Sequence, residues 1–207
     1  MKIIIITGGI ASGKNSVADL FHKKYHIPII DTDQIGKDLV LPGSTLLTKI
    51  TNKFGPNILT TDNSLDRRKL RELIFTNPKQ KKWLEQLLHP AINFEMKNQI
   101  KLCEYNNQIA SKKIHYCMLL VPLVDQAYLD QNKFINRVLV VDCNEETQIE
   151  RGQLRDKQPK EHIEAVIKQQ ISRSERLKLA DDIIENIKDL SHLENEVNRL
   201  HLIYSKM

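Results

Sequence analysis

Residues 2–21 of the chain read KIIIITGGIASGKNSVADLF. The isoleucine run at residues 3–6 is typical of a strand that is covered on both faces of a parallel sheet. After it come Gly8, four further residues, Gly13 and Lys14, which match the start of the G-x-x-x-x-G-K-[ST] pattern. In that pattern backbone N–H groups surround phosphate groups and the lysine reaches the terminal ones. The stretch therefore predicts a strand, a phosphate-binding loop and a helix, in that order.

The end of the loop departs from this pattern. Asn15 stands where a Ser or Thr hydroxyl is expected to face Mg²⁺, and Ser16 follows it. An amide oxygen can face the metal directly or through water, so Asn15 is the candidate metal-facing residue. Val17, Leu20 and Phe21 then recur at helical spacing and predict a buried helix face. A glycine turn that merely packs this helix onto the strand is the alternative to a phosphate site.

The composition is that of a globular protein. With 207 residues, 41% of them hydrophobic and 28% charged, the chain can form one α/β domain with a sizeable insertion, or two small lobes. The net charge of +5 suits a polyanionic small molecule or nucleic acid, while the scattered lysines also fit an ordinary solvated surface. The three cysteines lack C-x-x-C spacing and indicate neither a disulfide framework nor a zinc site. Without an apolar span or a signal peptide, we expect a cytosolic protein.

Strand and helix patterns alternate along the chain, which favours a parallel sheet joined by right-handed crossovers. Further strands are predicted at residues 27–30, 114–121, 137–142 and 180–186. Helices are predicted from residue 145 onward, at 160–178 and at 190–204.

Between residue 42 and about residue 107 the strand pattern is absent, and a helical insertion is predicted. Asp66 is a candidate N-cap and Pro78 suits a helix start, whereas Pro90 should break or kink its helix. His89 on a helix face is, from the sequence alone, more often structural than catalytic. A basic cluster either forms a solvated face or contacts a phosphorylated substrate: Arg67, Arg68, Lys69 and Arg71.

Charged side chains follow two of the predicted strands. Asp31 and Asp33 come after the second strand, at the edge where open α/β sheets bind ligands. One of them could orient or deprotonate an acceptor hydroxyl, or they cap a helix beginning near Gln34. Arg151 and Arg155 lie four residues apart on one helix and are candidates for a lid over phosphates, because guanidinium groups match phosphate oxygens. Exposed helix arginines are the alternative.

Together these motifs resemble the dephospho-coenzyme A kinase family of P-loop kinases. The resemblance spans nearly the whole chain, and the order and spacing of the motifs make it specific. The motifs that carry it are TGGI (7–10), IDTD (30–33), LDRR (65–68), LR (70–71), IF (74–75), LHP (88–90), VPL (121–123), VD (141–142), Gln148, Arg151, RD (155–156), Gln170, AD (180–181) and Asn186.

The resemblance implies ATP-dependent phosphorylation of the ribose 3′-hydroxyl of dephospho-coenzyme A, the last step of coenzyme A synthesis. It implies an α/β fold: a P-loop kinase core with a five-stranded parallel sheet flanked by helices, formed by residues 1–41 and 112–207. A helical lid is expected at about 145–162 and a helical substrate-binding insertion at 42–111. The implied ligands are ATP with Mg²⁺ and dephospho-coenzyme A, without nucleic acid or membrane, in a monomer or weak homo-oligomer.

The family's functional residues can be carried over onto this sequence. ATP phosphates are implied to bind the loop residues Gly8, Gly9, Ala11, Ser12, Gly13, Lys14, Asn15 and Ser16. The implied catalytic residues are Lys14, Asp33, Arg151 and Arg155. The implied substrate-binding residues are Asp33, Arg71 and His89. Asp33 is expected to face the acceptor hydroxyl.

The chain also departs from the family's pattern. Ala11 replaces a usual loop glycine, which is tolerated if its φ angle is negative. Asn15 replaces the usual serine after the lysine. Where the family has a glutamate after the VPL motif, Gln126 stands here, and Asp125 is a candidate substitute one position earlier.

Two other functions stay open from the sequence. A different small-molecule kinase, acting on a nucleoside monophosphate or a metabolite hydroxyl, would use the same core. A nucleotide-gated binding protein, such as a basic nucleic-acid binder, would instead show steeply salt-dependent affinity for nucleic acid and no transfer to a small acceptor.

Overall fold

The computed structural model describes residues 1–75, 77–111 and 113–207. Within them one sheet has five strands, in the order β2-β3-β1-β4-β5. Every strand pairing is parallel, as predicted. The strands are β1 (Lys2–Gly8), β2 (Ile29–Asp31), β3 (Tyr116–Leu120), β4 (Arg137–Asp142) and β5 (Asp182–Glu185).

Helices connect the strands and form the segment between β2 and β3. They are α1 (Lys14–Tyr25), α2 (Thr32–Asp38), α3 (Thr45–Phe54), α4 (Arg67–Phe75), α5 (Pro78–Ile109), α6 (Gln126–Gln131), α7 (Glu145–Asp156), α8 (Lys160–Gln169), α9 (Arg173–Lys178) and α10 (Leu190–Tyr204), with a 3₁₀ turn at Pro56–Ile58. None of the described helices combines the length and the apolar character that crossing a bilayer requires.

The chain divides into two compact units. Residues 1–31 and 102–207 form the first, which we call the sheet unit, and residues 32–101 form the second, the helical unit. The boundaries expected from the sequence, after residues 41 and 111, lie further along the chain than the observed ones, after residues 31 and 101. Lys112, the first residue of the expected second core segment, lies outside the described residues.

The core of the sheet unit is built around β1. The isoleucines at residues 3–6 are at most 3% exposed, because β3 and β4 flank the strand and helices cover the sheet. Burying each such side chain contributes roughly 1.5–3 kcal/mol. One cluster joins β1 and β3 to α1 and α10, and in it the rings of Phe21, Tyr116 and Tyr204 have centroids within 6.4 Å of one another. This packing fixes α1 against the strand that precedes it.

The helical unit has a core of its own. Leu47, Ile50, Leu70 and Leu84 are among its buried members. Asp66 caps α4, since its carboxylate accepts a hydrogen bond from the Lys69 backbone N–H at 3.0 Å. The predicted cap is confirmed, and so is the helix start at Pro78.

Two helices differ from their predictions. Pro90 does not break its helix but lies inside the 32-residue α5, and the alternative of a kink at Pro90 stays a prediction. The helix predicted at 160–178 is divided into α8 and α9. Gln170 is extended there, and Ser172 starts α9 through a reciprocal capping box with Glu175. That Ser-x-x-Glu spacing is visible in the sequence and predicts the break.

Candidate active site

The phosphate loop, residues 8–14, joins β1 to α1 and depends on its glycines. Gly13 has φ 95° immediately before α1 begins, a conformation that favours glycine. A Cβ atom on Gly13 would collide with the side chain of Asn186, and one on Gly8 with the backbone oxygen of Val141. The loop therefore packs closely against the ends of β4 and β5, and the N-terminus of α1 follows it directly. A helix N-terminus in this position suits an anion.

An alanine at position 11 was expected to be tolerated if its φ angle is negative, and the angle is positive. Its φ angle is 54°, which is left-handed. This conformation costs an L residue roughly 1–2 kcal/mol, which a glycine would avoid. The loop therefore holds Ala11 in a strained backbone conformation.

Lys14 places its charge on the loop itself. Its ammonium group donates to the backbone oxygens of Gly8 and Gly9, both at 2.9 Å. These carbonyls are neutral acceptors, and a phosphate oxygen would form the stronger, charge-assisted bond. The lysine is thus held beside the loop that it is expected to serve.

The loop and both candidate arginines line one cleft of about 620 Å³ in the sheet unit. The lining residues are Ala11, Gly13, Lys14, Asn15, Ser16, Arg151, Arg155, Asn186, Lys188, Asp189, Leu190 and Leu193. Three of the four basic side chains come from the loop and α7, and Leu190 and Leu193 add an apolar wall. A cleft with a cationic end and an apolar wall can hold a nucleotide, with its phosphates at the loop.

The two arginines of α7 are held differently. Arg151 Nη1 donates to the backbone oxygen of Asn186 at 3.0 Å. Arg155 forms a two-pronged pair with the carboxylate of Asp156, with both N–O distances 2.8 Å. Hydrogen bonding to Asp156 raises the pKa of Arg155, so its charge is secure. A phosphate that binds Arg155 has to share or displace Asp156.

Amide side chains from the second half of the chain hold the loop. Asn186 Nδ2 donates to the backbone oxygen of Ser12 at 2.9 Å, and Gln170 Oε1 accepts from the backbone N–H of Ile10 at 3.1 Å. A Cβ atom on Gly9 would collide with the buried amide of Gln148. The sequence marks these three amides as family motifs but gives none of them a role.

The side chain of Asp142, the last residue of β4, is a buried carboxylate next in the chain to Val141, against which the phosphate loop packs. Asp142 is 2% exposed and pairs with Arg173, with the shortest N–O distance 2.6 Å. Hydrogen bonding to Asp142 raises the pKa of Arg173. Arg176 is also buried, and desolvation lowers its pKa while Asp142 opposes that shift. The pair ties α9 to the carboxyl end of the sheet.

Asn15 faces a second cavity as well as the cleft. This cavity of about 250 Å³ is lined by Asn15, Ala18, Asp19, His22, Ile29, Asp31 and Leu120. Asn15 therefore stands between the phosphate loop's cleft and a cavity that contains Asp31, the last residue of β2. Amide and carboxylate oxygens of this kind are ligands that Mg²⁺ accepts.

The remaining predicted site residues lie in the helical unit. Asp33 is exposed in the first turn of α2, which begins at Thr32, so it does not occupy the cap position before a helix at Gln34. Arg71 on α4 and His89 on α5 are exposed as well.

The rest of the basic cluster is engaged within the helical unit. Arg67 donates to the Lys37 backbone oxygen at 3.3 Å, and Lys69 pairs with Asp66 at 3.5 Å. For Arg67 and Lys69 these contacts fit the interpretation of a solvated helix face.

Asp125 has a local role in the sheet unit. Its carboxylate accepts from the backbone N–H of Tyr128 at 2.7 Å and caps α6. A helix cap accounts for an aspartate at this position, and the proposed substitution for the family's glutamate stays a prediction.

The central strand β1 leads through a G-x-x-x-x-G-K loop into a helix, and two arginines line the same cleft as that loop. These features define a P-loop phosphotransferase of the small-molecule kinase type. A family model described as dephospho-CoA kinase matches residues 2–192. The chain belongs to the dephospho-CoA kinase family.

Individual relatives agree with this assignment. A dephospho-CoA kinase from Aliivibrio fischeri is 46% identical over 184 residues, which cover 89% of this chain and 95% of that protein. The solved structure of a dephospho-CoA kinase from Campylobacter jejuni is 27% identical with a TM-score of 0.71, covering 100% of this chain and 98% of that one. A Thermus thermophilus crystal structure shares the fold with a TM-score of 0.76 at 24% identity, covering 98% and 97%. The predicted enzyme class, a kinase of coenzyme A biosynthesis, is confirmed.

Proposed function

We propose that the protein transfers the γ-phosphoryl group of ATP to the ribose 3′-hydroxyl of dephospho-CoA and releases CoA and ADP. The observation that carries this proposal is the single cleft lined by the phosphate loop, Arg151 and Arg155 in a member of the dephospho-CoA kinase family. Phosphoryl transfer passes through a loose transition state, so positioning and positive charge supply most of the catalysis.

The residues of the cleft divide this work. Lys14 exchanges its contacts with two backbone oxygens for the terminal phosphates of ATP. Loop N–H groups and the N-terminus of α1 orient the phosphate chain. Arg151 and Arg155 stabilise charge that develops on the transferring group, and closure of α7 over the nucleotide excludes water.

ATP is expected to bring Mg²⁺, and the residues present fit a hard cation. Asn15 and Ser16 offer oxygen atoms to the cleft, and Asn15 also lines the cavity that contains Asp31. Asn15 would hold the metal through its amide oxygen or through water, with Asp31 as the neighbouring carboxylate. When bound, Mg²⁺ neutralises part of the phosphate charge.

The acceptor side of the proposal rests on the helical unit. Asp33 orients the acceptor hydroxyl and accepts its proton late in the reaction. Arg71 and His89 bind the rest of dephospho-CoA, for which two exposed polar side chains are suitable partners.

The proposed setting is the cytoplasm, which supplies ATP, and the proposed state is a monomer or weak homo-oligomer. The scattered lysines favour small phosphorylated ligands over nucleic acid, and no membrane partner is proposed.

The test is ADP release from Mg·ATP by the purified protein. Dephospho-CoA is compared with adenosine, AMP and shikimate, and the product is identified by mass. We expect release to require dephospho-CoA and the product to be CoA. ATP binding without release on any acceptor would contradict the proposed reaction and would direct attention to Asn15, the departure at the metal-facing position.

A further inference from the structure

We propose that Asn186 is a positioning residue that couples Arg151 to the phosphate loop, an inference that rests on the proposed function of this cleft. Asn186 follows β5 directly and is 9% exposed. It lines the cleft together with the loop and Arg151. The residue therefore stands where the two charged parts of the site meet.

Three hydrogen bonds connect Asn186 to three different elements. Its backbone N–H donates to the backbone oxygen of Asp142, the last residue of β4, at 2.8 Å. Its backbone oxygen accepts from Arg151 Nη1 of α7 at 3.0 Å. Its side-chain Nδ2 donates to the backbone oxygen of Ser12 at 2.9 Å. The main chain of Asn186 thus fixes the arginine, while its side chain fixes the loop.

The loop is shaped to receive this amide. The place that a Cβ atom of Gly13 would occupy is filled by the amide nitrogen of Asn186. Ser12 is fully buried with the amide in place, so removing the amide takes away the hydrogen-bond donor of its backbone oxygen. An unpaired buried carbonyl is unfavourable, and the loop would relax to pair it.

Such a relaxation affects the chemistry, because loop N–H groups and Arg151 must act on the same phosphate chain. Displacements of about 1 Å in an active site can lower turnover by about a hundredfold. Without the side chain of Asn186 the arginine keeps its own bond to the backbone oxygen, but it is no longer fixed relative to the loop. The contribution of Arg151 to turnover should therefore depend on whether Asn186 is present.

A double-mutant cycle tests this dependence. The four proteins are the wild type, Asn186→Ala, Arg151→Ala and the double variant, each assayed for kcat with dephospho-CoA and for the affinity of a fluorescent ATP analogue. We expect each single change to lower kcat about tenfold to a hundredfold. The kcat of the double variant should be little lower than that of the more impaired single variant. Once Asn186→Ala has removed the contribution of Arg151 to turnover, removing Arg151 as well changes little.

Asn107→Ala is the matched control. Asn107 Nδ2 also donates to a backbone oxygen, that of Ile114, at 2.8 Å, while its Oδ1 accepts from the Ile114 N–H at 2.6 Å, and the residue is half-buried in the same unit. It is absent from the lining of the cleft. We expect Asn107→Ala to lose at least as much thermal stability as Asn186→Ala, because it removes two side-chain hydrogen bonds, with kcat reduced only by Asn186→Ala. In a double-mutant cycle of Asn107→Ala with Arg151→Ala, the loss of kcat in the double variant should equal the product of the two single losses.

The possible results distinguish a failure of the coupling between Asn186 and Arg151 from a failure of the proposed reaction. Losses at Asn186 and Arg151 that multiply within twofold, in both kcat and nucleotide affinity, would overturn the coupling. A wild type that binds the ATP analogue but does not phosphorylate dephospho-CoA overturns the proposed reaction, while the cycle on nucleotide affinity still decides the coupling. If Asn186→Ala does not fold, Asn186→Asp replaces it, since aspartate fills the same volume but its ionised form cannot donate to Ser12.

Discussion

Replacing Ala11 by glycine is expected to stabilise the protein. The left-handed φ of 54° costs an L residue roughly 1–2 kcal/mol, which glycine avoids. Glycine in turn makes the unfolded chain more flexible, which costs roughly 0.4–1 kcal/mol. The net gain lies between about 0 and 1.6 kcal/mol with a central value of about 0.8 kcal/mol, which for a chain of this size corresponds to a rise of about 2–3 °C in Tm.

Thermal and urea unfolding of Ala11→Gly measure this gain. Ala165→Gly, in the right-handed interior of α8, is the control with the opposite sign and should lose about 1 kcal/mol. Ala11→Ser keeps a Cβ atom in the left-handed conformation and should change little. A Tm for Ala11→Gly at or below that of the wild type would refute the argument that this position is strained.

Three further changes test the site and the core. Lys14→Ala should weaken both ATP binding and turnover, because the loop loses its one charged side chain; Lys23→Ala, exposed on the same helix, should change neither in nucleotide titrations and ADP-release assays. Asp33→Asn should lower turnover more than about tenfold with ATP binding nearly unchanged, and a variant with normal turnover would remove Asp33 from the mechanism. Burial raises the pKa of Cys117 to about 12 from 9.0, so the unfolded chain loses this proton at lower pH than the folded one. Stability should therefore fall as pH rises from 9 toward 12, and urea unfolding of Cys117→Val should show a flatter fall over that range.

Local patterns predicted the parts of the fold whose causes are local. The isoleucine run, the spacing of Gly8, Gly13 and Lys14, and the apolar period of Leu190–Tyr204 each encode a strand, a turn or a helix within a few residues. The alternation of these elements was enough to predict the parallel sheet. The two arginines of α7 were also found by local spacing, because residues four apart share a helix face.

Contacts between distant residues were beyond the reach of such patterns. The bond from Asn186 to Ser12 spans 174 positions and that between Gln170 and Ile10 spans 160. Nothing within the neighbouring sequence of either residue specifies its partner. The φ angle of Ala11 is a case of the same kind, because alanine prefers negative φ and only the surrounding loop imposes the opposite. By contrast, the pairing of Arg155 with Asp156 joins adjacent residues and could have been predicted.

The central place of β1 has a consequence for the synthesis of the protein. The strand is made before both of its neighbours, which lie at Tyr116–Leu120 and Arg137–Asp142. At roughly 5–20 residues per second, a ribosome needs on the order of 10 s to reach them. Throughout that time four consecutive isoleucines have no strand to pair with, and such a segment is prone to aggregate. The stretch that determines the fold is therefore also the one that the nascent chain most needs to have shielded.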